Sequence, residues 1–596
     1  MKIRSIGLHY AENVLNWLHS KLTEKQFLLL SSALVGVTAG IAAVLLKSFV
    51  FFIRHYVVEQ NIFTTGFKYL YLLLPLFGIA LTVVIIRRFF KGRLERGSSA
   101  ILFAIAKKAS FIPFSQMYSH LVTSAITVGF GGSAGLESPI VSTGSAIGSN
   151  YAGTYKLNYK DRTLLLACGA AGGIAGAFNS PIAGVLFALE VLLVGINITA
   201  FIPLLIASAS GALISKIILR ENILLSFSLK QPFDYHNVPF YVLLGVLSGF
   251  LSLYYVNCFD KTEFIFSKRI RLPIVRVLIG CSLLGLLIAM FPSLFGEGYE
   301  SIKDLSNNSI TLLFKDSIFE KFISSKWEMF FFITAAMLLK AIATGLTLGS
   351  GGNGGNFAPT LFVGAYLGFA FSYLLKLMGF TDIPVSNFTI VAMSGVLAGV
   401  FHAPLTGIFL IAEITGGYEL MIPLMLVSAS SYALVKSFHP DSLDVKRLKK
   451  MGAYISEDKD KSILGKIEVT GMIETNFTTV ELDAKLRTIV ETIKHSPRNV
   501  FPVVNKHNRL LGIIQLDSIR EEMFNQELYD KVIAKELMRK IEAKIDIRKD
   551  DIFSIMKKFD ESGQWNLPVV DDEKYVGFLS KSTILTKYRA ELLNSY

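Results

Sequence analysis

One glutamate, Glu137, stands in an otherwise uncharged, glycine-rich run, GFGGSAGLESPIVSTGSAIG, residues 129–148. Apolar sequence extends on both sides, which puts the carboxyl at membrane depth. An ionisable group there is costly and marks an ion or proton pathway by default. Glycines ahead of a helix start let backbone N–H groups approach a ligand without an intervening side chain. A proline in the first turn lacks an N–H that would have no partner within the helix. Gly135 to Pro139 has this form. So does Gly355 to Pro359 in GSGGNGGNFAPTLFVGAYLG, residues 349–368, where Phe357 takes the place of the glutamate. Two such helix starts facing one point offer free amide donors and the positive ends of two dipoles. That is a site for a dehydrated anion. It has no fixed cation, so the anion can leave again. A carboxylate accepts the same donors, so Glu137 can fill the site itself and vacate it on protonation or rotation. A plain helix cap is the simpler role for an isolated glutamate. The repeat and the apolar surroundings favour a gate that also carries a proton.

The elements that position these residues are duplicated. Gly129, Gly131, Gly132, Gly135, Pro139, Gly144 and Gly148 recur 220 positions later. A second match follows: AGAFNSPIAGVLFALE (175–190) resembles AGVFHAPLTGIFLIAE (398–413), with Phe178, Pro181, Gly184 and Glu190 falling on Phe401, Pro404, Gly407 and Glu413. Transporters place substrate sites where two such repeats meet, using interrupted helices, and the inverted arrangement is the commoner. The symmetric Glu190 and Glu413 suit a structural role at helix ends or a subunit interface. His402, in the place of Asn179, suits packing or capping.

Composition agrees with a membrane setting. Of 596 residues 52% are hydrophobic and 18% charged, and mean hydropathy is +0.50, which a soluble protein rarely combines. Apolar stretches such as Leu28–Ile53, Tyr69–Ile86, Phe240–Val256, Val275–Phe291 and Met329–Leu348 approach or exceed the length needed to span a bilayer. No signal peptide is read at the N-terminus. The net charge of +13 clusters beside apolar spans, at Arg87, Arg88, Lys91, Arg93 and Arg96 and at Lys446, Arg447, Lys449 and Lys450. Juxtamembrane cations favour the cytoplasmic side, so this reading takes precedence over nucleic-acid binding. Cys168, Cys258 and Cys281 have no paired spacing, and neither a disulfide framework nor a metal site is expected.

These motifs resemble the CLC family of chloride channels and proton/chloride exchangers over about Leu28 to Lys450. GLESP (135–139) is similar to the family's G-(K/R)-E-G-P, with Leu136 for the basic residue and Ser138 for glycine; GNFAP (355–359) fits G-x-F-x-P. The tail is similar to the tandem CBS domains of many members. The resemblance implies an α-helical membrane protein of two repeated, inverted halves with re-entrant half-helices, plus a small α/β tail. The expected bounds are 1–450 for the transport domain (halves about 28–218 and 238–450), 451–464 for a linker, and 465–596 for the CBS pair (about 465–525 and 530–592). It implies a homodimer in the cell (inner or plasma) membrane, with N-terminus and tail cytoplasmic. Chloride or a similar small anion would be held by Gly97, Ser98, Gly135, Leu136, Glu137, Gly355, Asn356, Phe357, Ala358 and Asp444, with Glu137 as external gate.

Three departures bear on mechanism. The family's G-S-G-I-P motif corresponds to ERGSSAI (95–101). Likeness puts the anion-contacting serine at Ser98; gapless counting puts Gly97 at the second glycine and Arg96 at the serine, and both registers stay open. The inner proton-accepting glutamate of family exchangers, directly after the position of Glu190, is Val191. The inner-gate tyrosine falls on Asp444, which repels an anion unless protonated, turned away, or neutralised by Arg96 or Lys446. Val191 cannot take a proton, so the sequence leans to passive, channel-like conduction. Proton-coupled antiport through a substitute inner path is the alternative, and a CBS-regulated cation transporter is more remote.

The tail repeats NVFPVVNKHNRLLGIIQLDSIR (499–520) as WNLPVVDDEKYVGFLSKSTILTK (565–587). Each copy reads strand (Phe501–Val504; Leu567–Val570), turn, strand (Leu511–Gln515; Tyr575–Ser580), with helical patterns at Leu482–His495 and Ile552–Ser562. The family's nucleotide positions carry Gln515, Asp517 and Ser518 in one copy, Ser580 and Thr583 in the other. Neither set is complete. A dimerising or stabilising module is expected in preference to a nucleotide site, which stays the alternative, with no other cofactor and no nucleic-acid partner. A membrane enzyme would need a nucleophile with a base or a metal cluster, and no such spacing is present.

Overall fold

The computed structural model describes residues 21–59, 72–90, 92, 94–193, 200–219, 232–307, 310–315, 317–380, 382–453, 464, 465 and 467–594. Lys91 and Arg93, the N-terminal residues 1–20 and most of the expected linker lie outside them. The chain forms two compact units, Met1–Ala453 and Tyr454–Tyr596.

The first unit is helical and twofold in plan. Among the described residues one half runs Glu24–Phe52, Leu74–Phe89, Gly97–Lys107, Gln116–Gly129, Glu137–Thr154, Tyr159–Phe178, Pro181–Phe187 and Phe201–Leu219. The other repeats the order as Val238–Phe264, Pro273–Met290, Tyr299–Ser306, Lys326–Gly349, Phe357–Leu377, Val385–Phe401, Pro404–Ile414 and Met421–Phe438. Seven helical stretches among the described residues are long and apolar enough to cross a membrane. Large apolar side chains stay exposed on the outer helices, among them Phe77 and Val84 on one and Leu213 and Ile217 on another. Such a surface needs hydrocarbon around it. The Glu137 and Phe357 helices lie inside and are buried almost throughout. The protein is a multi-pass membrane protein of two inverted halves.

Local sequence sets the helix ends. Asn158 accepts from Asp161 N–H at the start of one helix, and Ser325 with Glu328 forms a capping box at another. Asn179 and His402 occupy the same left-handed position, φ 54° and 56°, at matching helix ends. Ser180-Pro181 and Ala403-Pro404 then restart the chain as a new helix. His402 is thus a terminating residue, in the role of Asn179.

The second unit holds two three-stranded sheets of one design. In each, a short strand (Val480–Glu481; Ile545–Asp546) runs parallel to the first arm of a hairpin. The hairpins pair Val500–Val504 with Leu510–Gln515 and Asn566–Asp571 with Lys574–Ser580, each with a register shift at the same place. The helix expected from Leu482 begins at Leu486, because Val480 and Glu481 pair with Val503 and Val504 and the chain must turn first. Ile552–Ser562 is helical as expected.

Candidate anion pathway

The two glycine segments meet back to back. Gly135 N–H donates to Gly355 O at 2.9 Å, and Gly355 N–H donates to Gly135 O at 2.8 Å. This antiparallel bridge ties the halves together just ahead of two helix starts. Glu137 and Phe357 are the first residues of those helices. Glu137 is only 4% exposed. Its Oε2 accepts the Ala358 N–H at 3.3 Å, and its Oε1 accepts the Tyr299 O–H at 2.5 Å. The carboxylate therefore occupies an amide donor at the mouth of the opposite half's helix. Glycine at 135 leaves room for the carboxylate: a Cβ there would lie 2.2 Å from Glu137 Oε2. Phe357 packs against Phe178, Phe187 and Phe401, with ring centroids 5.5–6.4 Å apart.

A narrow cavity, with about 50 Å³ of room for water-sized contents, is lined by Glu137, Phe357 and a group of charges. Of the residues read from sequence, Gly97, Ser98, Glu137, Gly355, Asn356, Phe357 and Asp444 line it. Gly135, Leu136 and Ala358 do not; Ala358 takes part through its N–H to Glu137. Leu136, in the place of the family's basic residue, is buried at the helix start. Both candidates for the first motif are brought in. The Arg96 guanidinium bonds the carbonyls of Leu348 (3.4 Å) and Gly351 (3.1 Å), where a helix ends and its dipole is negative. The Ser98 hydroxyl and Ser99 N–H face Asp444.

Sequence reasoning missed the rest of this group. Arg447, rather than Arg96 or Lys446, is the cation whose charge acts on Asp444. It is held by Asp260 at 2.9 Å and by Glu263, and lies over the Phe259 ring. Glu263 lines the cavity. These acids sit at the end of a span, where a charge attracts no notice in a sequence. Lys340 carried a sequence signal like that of Glu137, a lone charge in the apolar run AAMLLKAIAT, and it is fully buried.

Glu190 and Glu413 are brought together symmetrically, but away from the cavity lining. Glu413 accepts Ile182 and Ala183 N–H at 3.0 and 2.9 Å. Glu190 accepts Leu405 and Thr406 N–H at 3.0 and 2.7 Å. Each caps the proline-led helix of the other half, which is the structural role at helix ends. Val191 is buried beside Glu190.

The sequence profile described as "Voltage gated chloride channel" matches residues 78–436. The chain belongs to that family. CLC anion transport across a membrane is accordingly its activity class, and the family is one of transporters and exchangers. Two CBS domains match at residues 468–525 and 534–590. A ClcB-like protein of Ralstonia nicotianae is 30% identical over 372 residues, 61% of this chain and 81% of that one. An H(+)/Cl(-) exchange transporter ClcA of Vibrio cholerae is 29% identical over 315 residues, 50% of this CLC chain and 62% of its own length. A solved CLC-type fluoride/proton antiporter superposes with a TM-score of 0.57 at 25% identity, over 71% of this chain and 98% of that one.

Proposed function

We propose that this protein exchanges protons for chloride, or a similar small anion, across the plasma (inner) membrane. The observation that carries the reading is that Glu137, Asp444 and Glu263 line one and the same cavity. Coupled exchange needs an outer and an inner proton acceptor on one path, and this cavity joins candidates for both. The exchange activity named for the Vibrio cholerae relative, and the antiport named for the fluoride/proton structure, support the same choice. The sequence alone leaned to passive conduction, because Val191 removes the usual inner acceptor. Asp444 takes that role here, with Arg447 held beside it by Asp260 and Glu263.

In this cycle the ionised Glu137 fills the amide cradle and closes the path. Protonated, it gives up the donors, and the anion takes its place against the backbone of Gly355 to Ala358 and Gly135 to Leu136, with Gly97 and Ser98 on the inner side. The proton then passes from Glu137 toward Asp444 as the anion moves the other way. Two copies of the chain pair, each with its own path, and the N-terminus and tail face the cytoplasm beside the basic residues Arg87, Arg88, Lys449 and Lys450. The tail acts as a stabilising or dimerising module. Purified protein in liposomes with an imposed chloride gradient tests the reading: protons should move uphill as chloride runs down. Chloride flux with no proton movement would favour the second reading, a passive channel, for which the buried Val191 is the specific observation.

A further inference from the structure

The mechanism leaves unused a cluster that touches Glu137 but does not line the cavity holding Asp444 and Glu263. The turn Gly296–Glu297–Gly298 leads into the helix Tyr299–Ser306. Lys340, fully buried, donates from Nζ to Gly296 O at 3.1 Å, with its ammonium 4.7 Å from the centre of the Phe362 ring. Gly298 has φ +94°, and a Cβ there would meet Phe362 at 2.6 Å and Lys340 Nζ at 3.5 Å. The turn is thus clamped between a cation and a ring. It delivers the Tyr299 hydroxyl to Glu137 Oε1 at 2.5 Å.

We infer that Tyr299 is a positioning residue that latches the gate, and that Lys340 anchors the turn carrying it. This rests on Glu137 being the gate. A phenol O–H can donate to an ionised carboxylate and so stabilises the charged, site-filling form of Glu137. The other groups whose charges act on Glu137 and its neighbours do not replace that bond. Lys47 attracts the carboxylate, while Glu297 repels it and is itself acted on by Lys47, Arg54 and Lys340. Leu136 brings no charge where the family motif has a cation. Tyr299 therefore sets how readily the gate releases. Without it, the ionised form loses a partner, and the protonated, released form persists to higher pH.

The test is anion efflux from liposomes as a function of pH for the parent protein, Tyr299→Phe, Glu137→Gln and the double variant. Tyr299→Phe keeps the ring and removes only the donor. It should move the midpoint of the flux–pH curve about one to two units to the alkaline side. Glu137→Gln should flatten the curve, and the double variant should match it. A Tyr299→Phe midpoint equal to the parent's, with Glu137→Gln flat, overturns the latch alone. A uniform fall in flux with an unmoved midpoint overturns it too, because that is what a merely structural tyrosine would give. A Glu137→Gln curve that keeps the parent's pH response overturns the gate reading beneath it.

Discussion

Gly135→Ala should open the gate by steric means. The added Cβ would lie 2.2 Å from Glu137 Oε2 and 3.0 Å from the nearest Ala358 atoms. The tightest clash is with the end of a flexible side chain, so the carboxylate swings away rather than the backbone. In leaving, it gives up the Ala358 N–H and the Tyr299 O–H. A hydrogen bond to a charged group contributes about 1.5–3 kcal/mol. With the low end for both, the closed arrangement loses roughly 3 kcal/mol, or about a hundredfold in occupancy. Efflux from liposomes at neutral pH, where the ionised gate otherwise fills the site, should rise by one to two orders of magnitude and lose most of its acid stimulation. The symmetry-related Gly355→Ala should behave differently. Its Cβ would meet Ser138 Cβ at 2.4 Å and Ser138 N at 3.2 Å, which are parts of a helix start that cannot rotate away. It should lower thermal stability and flux at every pH. A Gly135→Ala protein that elutes as a normal folded species and keeps the parent's pH profile would refute this reasoning.

The remaining predictions concern the helix caps, the inner mouth and the tail. Glu190→Ala and Glu413→Ala each strip two backbone N–H groups of their acceptor. Both should cost about 2–5 kcal/mol in unfolding measurements, Glu190→Ala at least as much because Thr406 Oγ1 also bonds it. Asp444→Asn should abolish chloride-driven proton movement while chloride still flows; proton movement that persists would remove Asp444 from the inner step. In the tail, hydrogen bonds and charge from Arg548 and Arg487 hold the carboxyls of Asp571 and Asp530 below their usual range. A group depressed in the folded state adds stability above its unfolded value, near pH 4, and loses it as pH falls. The protection of tail amides in the whole protein, after division by the intrinsic exchange rate at each pH, should therefore fall on acidification below that value, and unchanged protection would contradict these pairs.

Much of the site was legible because it is local. Glycine and proline within five residues mark a helix start at Gly135 to Pro139, and the second copy at Gly355 to Pro359 gave an internal check. The duplication also exposed the partnership of Asn179 with His402 and of Glu190 with Glu413, although not that each glutamate reaches into the opposite half. Residues that act across the fold were not legible. Glu263, Asp260 and Arg447 look like ordinary interfacial charges, and only packing brings them to Asp444. Tyr299 is one of 22 tyrosines, and nothing in its neighbours marks it. Lys340 is the instructive miss: its isolation in an apolar helix was visible, but a long basic side chain can reach a membrane surface, so depth was not evident without the structure. In the tail, hydrophobic periodicity gave the helix, while the pairing of Val480 and Glu481 decided where it could begin.

The reciprocal caps have a consequence for how the protein is made. The helix starting at Pro181 emerges with two N–H groups whose acceptor, Glu413, lies 231 residues downstream of Ile182. Its counterpart at Pro404 receives Glu190 only once it has been synthesised itself. During translation the first half therefore enters the bilayer with an uncapped helix end and an unpaired Gly135, and stays incomplete until its partner arrives. Neither half is a finished folding unit. A chain truncated between them should be recognised as immature by whatever surveys exposed polar backbone in a membrane.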